Sequence, residues 1–343
     1  MSLTDKMRVL VTGGAGFIGS HTVIALEEGG FNPVILDNFS NSNKSVLNGL
    51  KSILGHEVVC VEGDSTNKET VRNVFDQYAI EGVIHFAASK AVGESMQEPL
   101  MYYRNNLGSL LTVLEVMEEK KVGLLIFSSS CTVYGEPENT PVTENTPIKP
   151  AASVYGNTKQ ICEEILHDVA AAKPFKIISL RYFNPVGAHT SGLIGEFPIG
   201  VPNNLVPFVT QTAAGLREKI TVFGNDYPTP DGTCIRDYIH VMDLAEAHTA
   251  ALSYIAGLRT SSFYDVFNVG AGRGNSVLEL LNTFEKVNNQ PVNYQIGARR
   301  EGDISSIWGN VEKAKQVLGW EAKRNLATAL KDAWRWQQHL SES

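Results

Sequence analysis

The chain has little of what marks a disulfide-stapled scaffold, a membrane protein or a nucleic-acid binder. Only 4 of its 343 residues are cysteine. Cys60, Cys131, Cys162 and Cys234 lie far apart with no Cys-x-x-Cys spacing, so neither a zinc knuckle nor a disulfide framework is indicated. Buried thiols in a reducing compartment are the expectation, and no metal is implied. No apolar run approaches the ~20 residues of a membrane span, and Met1 to Met7 lacks the segments of an export leader. A soluble, cytoplasmic protein without a membrane partner is therefore expected. Positive charge is also scarce, 29 Lys and Arg against 37 Asp and Glu giving a formal net charge of −8. Interspersed charges of that balance argue against nucleic acid as a partner, so an anionic ligand has to be met by local positive sites. Repeats, charge blocks and low-complexity tracts are absent too. What is present is an apolar fraction of 43%, enough for an ordinary core in one large or two moderate domains.

Strands and helices alternate through the first half. Strand Arg8 to Thr12 runs into Gly13-Gly14-Ala15-Gly16-Phe17-Ile18-Gly19 and then helix Ser20 to Glu28. In that context Gly13 suits a tight turn, Gly16 lets backbone approach a pyrophosphate, and Gly19 lets the helix pack close to the sheet. Strand Asn32 to Leu36 delivers Asp37, 18 residues past Gly19, close to the spacing of a carboxylate on an adenosine ribose. No arginine follows in Asn38 to Ser42 to welcome a further phosphate, which favours NAD over NADP; Lys44 is the one nearby cation. A strand over Glu57 to Val61 places Asp64 to accept from an adenine amine. Helix Lys68 to Gln77, strand Val83 to Phe86 with small Ala87 and Ala88, helix Asn106 to Glu119, strand Leu124 to Ser128, helix Ser153 to Ala171 and strand Lys176 to Arg181 complete the series. Strict alternation predicts an α/β fold, a Rossmann-type doubly wound parallel sheet with ligands at the strands' carboxyl ends. Composition changes after Asn184: a glycine- and proline-rich stretch to Asn204 reads as loops over a ligand. Helical patterns at Pro207 to Leu216, Ser276 to Asn288 and Asn325 to His339 fit a smaller mixed substrate domain. The expected division is 1–184 for the cofactor and 185–343 for the substrate, with 239–268 able to rejoin the first.

Tyr155 and Lys159 stand four apart in one helix, a spacing that puts both side chains on one face. A tyrosine titrating near pH ~10 needs roughly three pK units, about 4 kcal/mol, of phenolate stabilisation to act as a base at neutrality. A cation about 5 Å away supplies roughly 3 kcal/mol at an effective dielectric of ~20, and under 1 kcal/mol in water. The pair works only in a dry pocket.

These stretches, with Ser128-Ser129-Ser130-Cys131-Thr132-Val133-Tyr134-Gly135, Arg181-Tyr182-Phe183-Asn184-Pro185 and Arg236-Asp237-Tyr238-Ile239-His240-Val241, resemble the extended short-chain dehydrogenase/reductases, and within them the UDP-glucose 4-epimerases. The resemblance spans nearly the whole chain. It implies an isomerase in which Tyr155 exchanges a proton with the hydroxyl on the sugar's fourth carbon, Ser130 bonds and relays to that oxygen, and Lys159 lowers the Tyr155 pKa. UDP-galactose and UDP-glucose would interconvert through a transient 4-keto sugar, with NAD retained. By the same resemblance Phe17, Ile18, Asn38, Asn41, Ser42, Ser65, Phe86, Lys90, Asn105 and Phe183 join the glycines and carboxylates at NAD. Asn184, Asn204, Leu205, Thr221, Phe223, Arg236, Tyr238, Val277, Arg300, Asp303 and Ile307 line the UDP-sugar, and a homodimer pairs the helices at 106–119 and 153–171.

Two positions depart from relatives of different chemistry. Dehydratases of this group carry Asp-Glu before Val-Tyr-Gly, where this chain has Cys131 and Thr132. Neither replaces a carboxylate near pH 7, so oxidation without elimination is expected. The position of Ile307 is often tyrosine, and a smaller side chain there makes room for an N-acetylated sugar. Alternatives are an epimerase of another UDP-sugar such as UDP-glucuronate, a redox-sensing NAD-binding protein, and a dimeric scaffold.

Overall fold

The computed structural model describes residues 6–300 and 303–342; Met1 to Asp5, on which part of the leader reading rests, lie outside them. The chain begins with β1 (Arg8–Thr12), α1 (Phe17–Glu28), β2 (Asn32–Asp37), α2 (Ser45–Leu54), β3 (Val59–Glu62), α3 (Lys68–Tyr78) and β4 (Gly82–His85). It continues through α4 (Val92–Gln97), α5 (Pro99–Lys120), β5 (Leu124–Ser128), α6 (Val154–Ala172) and β6 (Lys176–Tyr182). Then come β7 (Asn184–Val186), α7 (Leu205–Ala213), β8 (Ile220–Phe223), β9 (Ile235–Arg236), β10 (Tyr238–His240), α8 (Val241–Gly257) and β11 (Phe263–Val269). Last are β12 (Asn275–Ser276), α9 (Val277–Asn288), β13 (Tyr294–Gly297), β14 (Ser306–Ile307) and α10 (Leu326–Glu342).

One seven-stranded sheet runs β3-β2-β1-β4-β5-β6-β11, parallel throughout. Its strands are nearly continuous apolar runs because both faces are covered. Side chains alternate between the two: Val9 and Val11 pack with α1 and α8, Leu10 with α3, α5 and α6. β6 is not the last strand, because β11 pairs with it from Phe263↔Lys176 to Val269↔Tyr182. A separate apolar cluster gathers Val186, Val206, Tyr238, Leu280, Phe284 and Leu330 from α7, α9, α10 and the short strands.

The order β2-β1-β4 reverses the direction of winding beside β1, the place where a crevice opens at the strands' carboxyl ends. Helix starts are fixed locally: Ser153 accepts from Gly156 N at 3.1 Å to begin α6, and Asn67 accepts from Thr70 N at 3.0 Å to begin α3. α5 begins at Pro99, seven residues before its expected start at Asn106. The buried face of α6 carries Thr158, Lys159 and Glu163 beside Cys162 and Leu166.

Candidate active site

The glycine turn sits where strand ends leave no room for side chains. Gly13 has φ +69°, and a Cβ there would lie 3.0 Å from Ala87 N. Gly16 caps α1, whose first turn carries no acidic side chain and no side-chain cap, so its amides and dipole are available to an anion. Gly19 serves a different purpose from the expected one: its Cβ would fall 2.2 Å from Gly13 O, inside the turn itself, while Gly14 is the residue that meets the sheet, at Val11 O and Ile35. A cradle that any Cβ would fill fits a dinucleotide pyrophosphate.

The carboxyl edge is stitched together beside it. Asp37 is buried and accepts from Ala15 N, Phe39 N and Ser42 Oγ, each at 2.9 Å. Of about four acceptor positions on a carboxylate, one stays free. Lys44 pairs with Glu62 at 2.6 Å, which engages the one cation that could have favoured an extra phosphate. Asn38 Nδ2 donates to Asp64 Oδ2 at 3.2 Å. Burial works against the Asp64 charge, but hydrogen bonds from Thr66 and Asn38 outweigh it and hold the carboxyl below its usual range. Asn41 is exposed in the loop before α2. Ser65 bonds Ser109 at 2.7 Å, and Asn105 donates to Ser89 Oγ at 3.2 Å.

Ser130, Tyr155 and Lys159 are all buried, 7, 9 and 3% exposed. Ser130 leaves β5 in extended backbone and its Oγ accepts from Thr132 N at 3.2 Å. The same hydroxyl faces the Tyr155 phenol and favours its ionised form. Lys159 Nζ donates to Ser128 O at 2.6 Å and stands 5.8 Å from the centre of the Tyr155 ring. Burial lowers the Lys159 pKa to about 8, against the pull of Cys162 and Glu163. Burial also pushes the Tyr155 phenol above its ordinary value, Tyr182 adds to this, and the Ser130 hydroxyl opposes it. The expected net lowering of Tyr155 by Lys159 is thus not found. The pair is buried as required, but the ammonium is aimed at a carbonyl and desolvation of the phenolate dominates.

The candidate nucleotide-sugar side brings most of its expected residues together. Arg300 Nη2 and Arg236 Nη2 both approach Asp303 Oδ1, at 2.7 and 3.7 Å, and the Arg300 guanidinium lies 5.6 Å over the Phe223 ring. Arg236 and Ile307 are register partners between β9 and β14, and Asn184 faces Tyr238 between β7 and β10. Phe183, Cys131 and Ile307 share one buried apolar cluster, so a candidate cofactor contact and a candidate sugar contact meet there. Asn204 caps α7 just before Leu205 and donates to Glu196 Oε1 at 2.6 Å; the same oxygen lies 3.6 Å from Lys90 Nζ. Thr221 is engaged by Gln295 at 3.3 Å, and Val277 packs on the apolar cluster around Leu280.

Some contributors escaped the sequence. Thr132 Oγ1 is buried with no partner beside Ser130. Glu196 bridges the loops of Lys90 and Asn204 across 106 residues. Their only signal is adjacency to a motif, and long separation hides the rest. Cys131 is buried and its thiol is pushed up to about 12 by that burial, so it supplies neither acid nor base at neutrality.

A parallel nucleotide-binding sheet carrying a buried serine, tyrosine and lysine at its carboxyl edge defines an extended short-chain dehydrogenase/reductase. A family model described as GDP-mannose 4,6 dehydratase matches residues 10–333. The UDP-glucose 4-epimerase of Bacillus subtilis is 51% identical over 332 residues, 96% of this chain and 97% of that one, and the one from Dictyostelium discoideum is 49% identical over 96 and 95%. The chain belongs to the UDP-glucose 4-epimerase family. The epimerase structure from Stenotrophomonas maltophila, with bound NAD and formylated UDP-arabinopyranose, matches at TM-score 0.95 and 44% identity over 98 and 99% of the two chains. That from Bifidobacterium longum, in complex with NAD+ and UDP, matches at 0.93 and 44% over 97 and 98%.

Proposed function

We propose that this protein is an isomerase that interconverts UDP-galactose and UDP-glucose through a transient 4-keto sugar, with NAD as its retained cofactor. The observation that carries the reading is the burial of Ser130, Tyr155 and Lys159 in one pocket whose neighbours Cys131 and Thr132 offer no carboxylate for elimination. NAD, when bound, supplies the acceptor and then the donor of one hydride. Gly13, Gly16, Asp37, Asp64 and Lys90 are the residues to hold it. Tyr155 takes the proton of the sugar's C4 hydroxyl and gives it back, and Ser130 holds that oxygen meanwhile. Lys159, charged below about pH 8, places a positive charge beside the buried phenol, although burial still holds that phenol above its ordinary value. Arg236 and Arg300 converge where a pyrophosphate needs forked cations, so the sugar is held by its nucleotide and its ring is free to turn.

The division of labour follows the fold. We assign residues 1–184, together with 239–268, to the cofactor and the remainder to the sugar; the pairing of β11 with β6 supports this. A second copy is the proposed partner across α5 and α6, between which Leu111, Leu114, Val169 and Phe175 line a groove of about 310 Å³. All four cysteines are free and no described helix is long and apolar enough to cross a membrane, in keeping with a cytoplasmic enzyme. Ile307, buried beside Cys131 and Phe183, leaves more room than tyrosine, and turnover of UDP-N-acetylglucosamine by the pure protein tests that extension. The main test is to mix purified protein, without added cofactor, with UDP-galactose and to look for UDP-glucose. An inert protein that stays inert with added NAD, or one that yields a permanently oxidised sugar, overturns the reading.

A further inference from the structure

Behind the candidate active site lies a buried charged network that the reaction as proposed does not use. The Glu163 carboxylate accepts from Arg181 through Nε at 3.0 and 3.2 Å and through Nη2 at 2.6 Å. It also accepts from Ser129 Oγ at 2.5 Å. Arg181, Glu163 and Ser129 are 4, 5 and 0% exposed, and the guanidinium lies 5.0 Å over the Tyr134 ring. A buried ion pair is a poor source of net stability, because desolvating two charges offsets their attraction. Its presence is better explained by what it fixes in place.

Each member stands beside a residue of the chemistry. Ser129 is next to Ser130, and its own N–H donates to Leu180 O of β6 at 2.9 Å. Glu163 follows Lys159 by one helical turn on the same buried face of α6, and its charge favours the ammonium. Arg181 precedes Tyr182, whose hydroxyl bonds Ser128 Oγ at 2.5 Å, and Ser128 O is the acceptor of Lys159. One carboxylate thus ties together the end of β5, the third turn of α6 and the end of β6.

We infer that Glu163 is a positioning residue of the active site, holding Ser130 against Tyr155 through Ser129 and keeping Lys159 charged through its own negative charge. Lys159 is faced by Glu163, Cys162 and Tyr155 from α6, by Ser128 O and the Phe127 ring from β5, and by His85 from β4; Tyr182 and Arg181 stand behind these from β6. Burial holds His85 neutral, with its pKa near 3, and pushes the Cys162 thiol up to about 12, so Glu163 is the carboxylate in this group that faces the ammonium.

The kinetic part rests on the epimerase reading, so the test has one arm that does not need activity. Lysine methylene signals followed by ¹³C NMR in the holoprotein are expected to show Lys159 titrating lower in Glu163→Gln than in the unsubstituted protein, by roughly half to one unit. An unchanged midpoint overturns the inference. Turnover of UDP-galactose by Ser129→Ala is expected to fall about tenfold, with KM within about twofold and the Lys159 midpoint unmoved. Should Glu163→Gln fail to fold, Ser129→Ala decides: an unaltered turnover, or a loss confined to KM, rules out the positioning role. An inert parent protein leaves the NMR arm standing and sinks the epimerase reading instead.

Discussion

Asp37 and Ala15 are joined by a 2.9 Å hydrogen bond from the Ala15 amide to Asp37 Oδ2, so the acid that ends β2 also braces the glycine turn after β1. A carboxylate accepting three donors can do this; an amide has one oxygen for them and turns its NH2 on another donor. Hydrogen bonds to a charged group contribute roughly 1.5–3 kcal/mol. Asp37→Asn is therefore expected to lose NAD at least ~10-fold more readily, read as cofactor content after gel filtration. Retention equal to that of the parent would show that the brace does not hold the site.

Two glycines separate the demands of the turn from those of an ordinary helix. An alanine methyl at Gly19 would fall 2.2 Å from Gly13 O, whereas at Gly93 nothing stands within 4 Å. Gly19→Ala must displace backbone and is expected to lower stability by about 1–3 kcal/mol and to empty the cofactor site. Gly93→Ala in α4 is expected to gain a few tenths to ~1 kcal/mol. Denaturant melts of the two variants side by side check this, and equal midpoints would refute the steric reading.

Much of this was legible because the chain alternates so regularly. β1, β5 and the pair on α6 stand where apolar runs and the four-residue spacing put them. β11 was legible as a strand, since Phe263 to Asn268 is a short β-rich run, and it pairs with β6. α2 was hidden by the polar loop before it, although Val46, Leu50 and Leu54 carry a helical period. The first two turns of α5 were hidden by Tyr103, Arg104 and Asn105, with Pro99 the only start signal. The direction of the Tyr155 shift was not legible, because spacing gives the distance of a cation and not the desolvation of the phenol. Nor was the Arg181–Glu163–Ser129 network, whose members lie 18 and 34 residues apart.

Lys159 is a charge the fold holds at a cost. Its pKa falls from 10.5 to about 8 on burial. Between those values the unfolded chain binds more protons than the native one, so this group's contribution to stability rises with pH there. Below about pH 8 the whole penalty stands, on the order of 3 kcal/mol. Lys159→Met is expected to melt a few degrees higher than the parent at pH 7, to lose that advantage by about pH 10, and to turn over at least ~10²-fold more slowly. A variant no more stable than the parent at pH 7 would contradict the burial cost.

Tyr155 carries the proton in the proposed reaction, and its environment makes a clean deletion possible. The ring is 9% exposed, so Tyr155→Phe keeps the packing and removes the hydroxyl whose ionisation Ser130 favours. Binding of NAD and UDP-glucose is expected to stay normal while turnover falls at least ~10²-fold, within the range for loss of a general base. Burial raises the phenol while Lys159 discharges near 8, so the parent's rate should climb through neutral pH and level off as the ammonium is lost. The residual rate of the phenylalanine variant should be flat over the same range. Stopped assays of UDP-galactose conversion from pH 6 to 9 decide it: a near-normal rate, or a profile unchanged in shape, removes Tyr155 from the role.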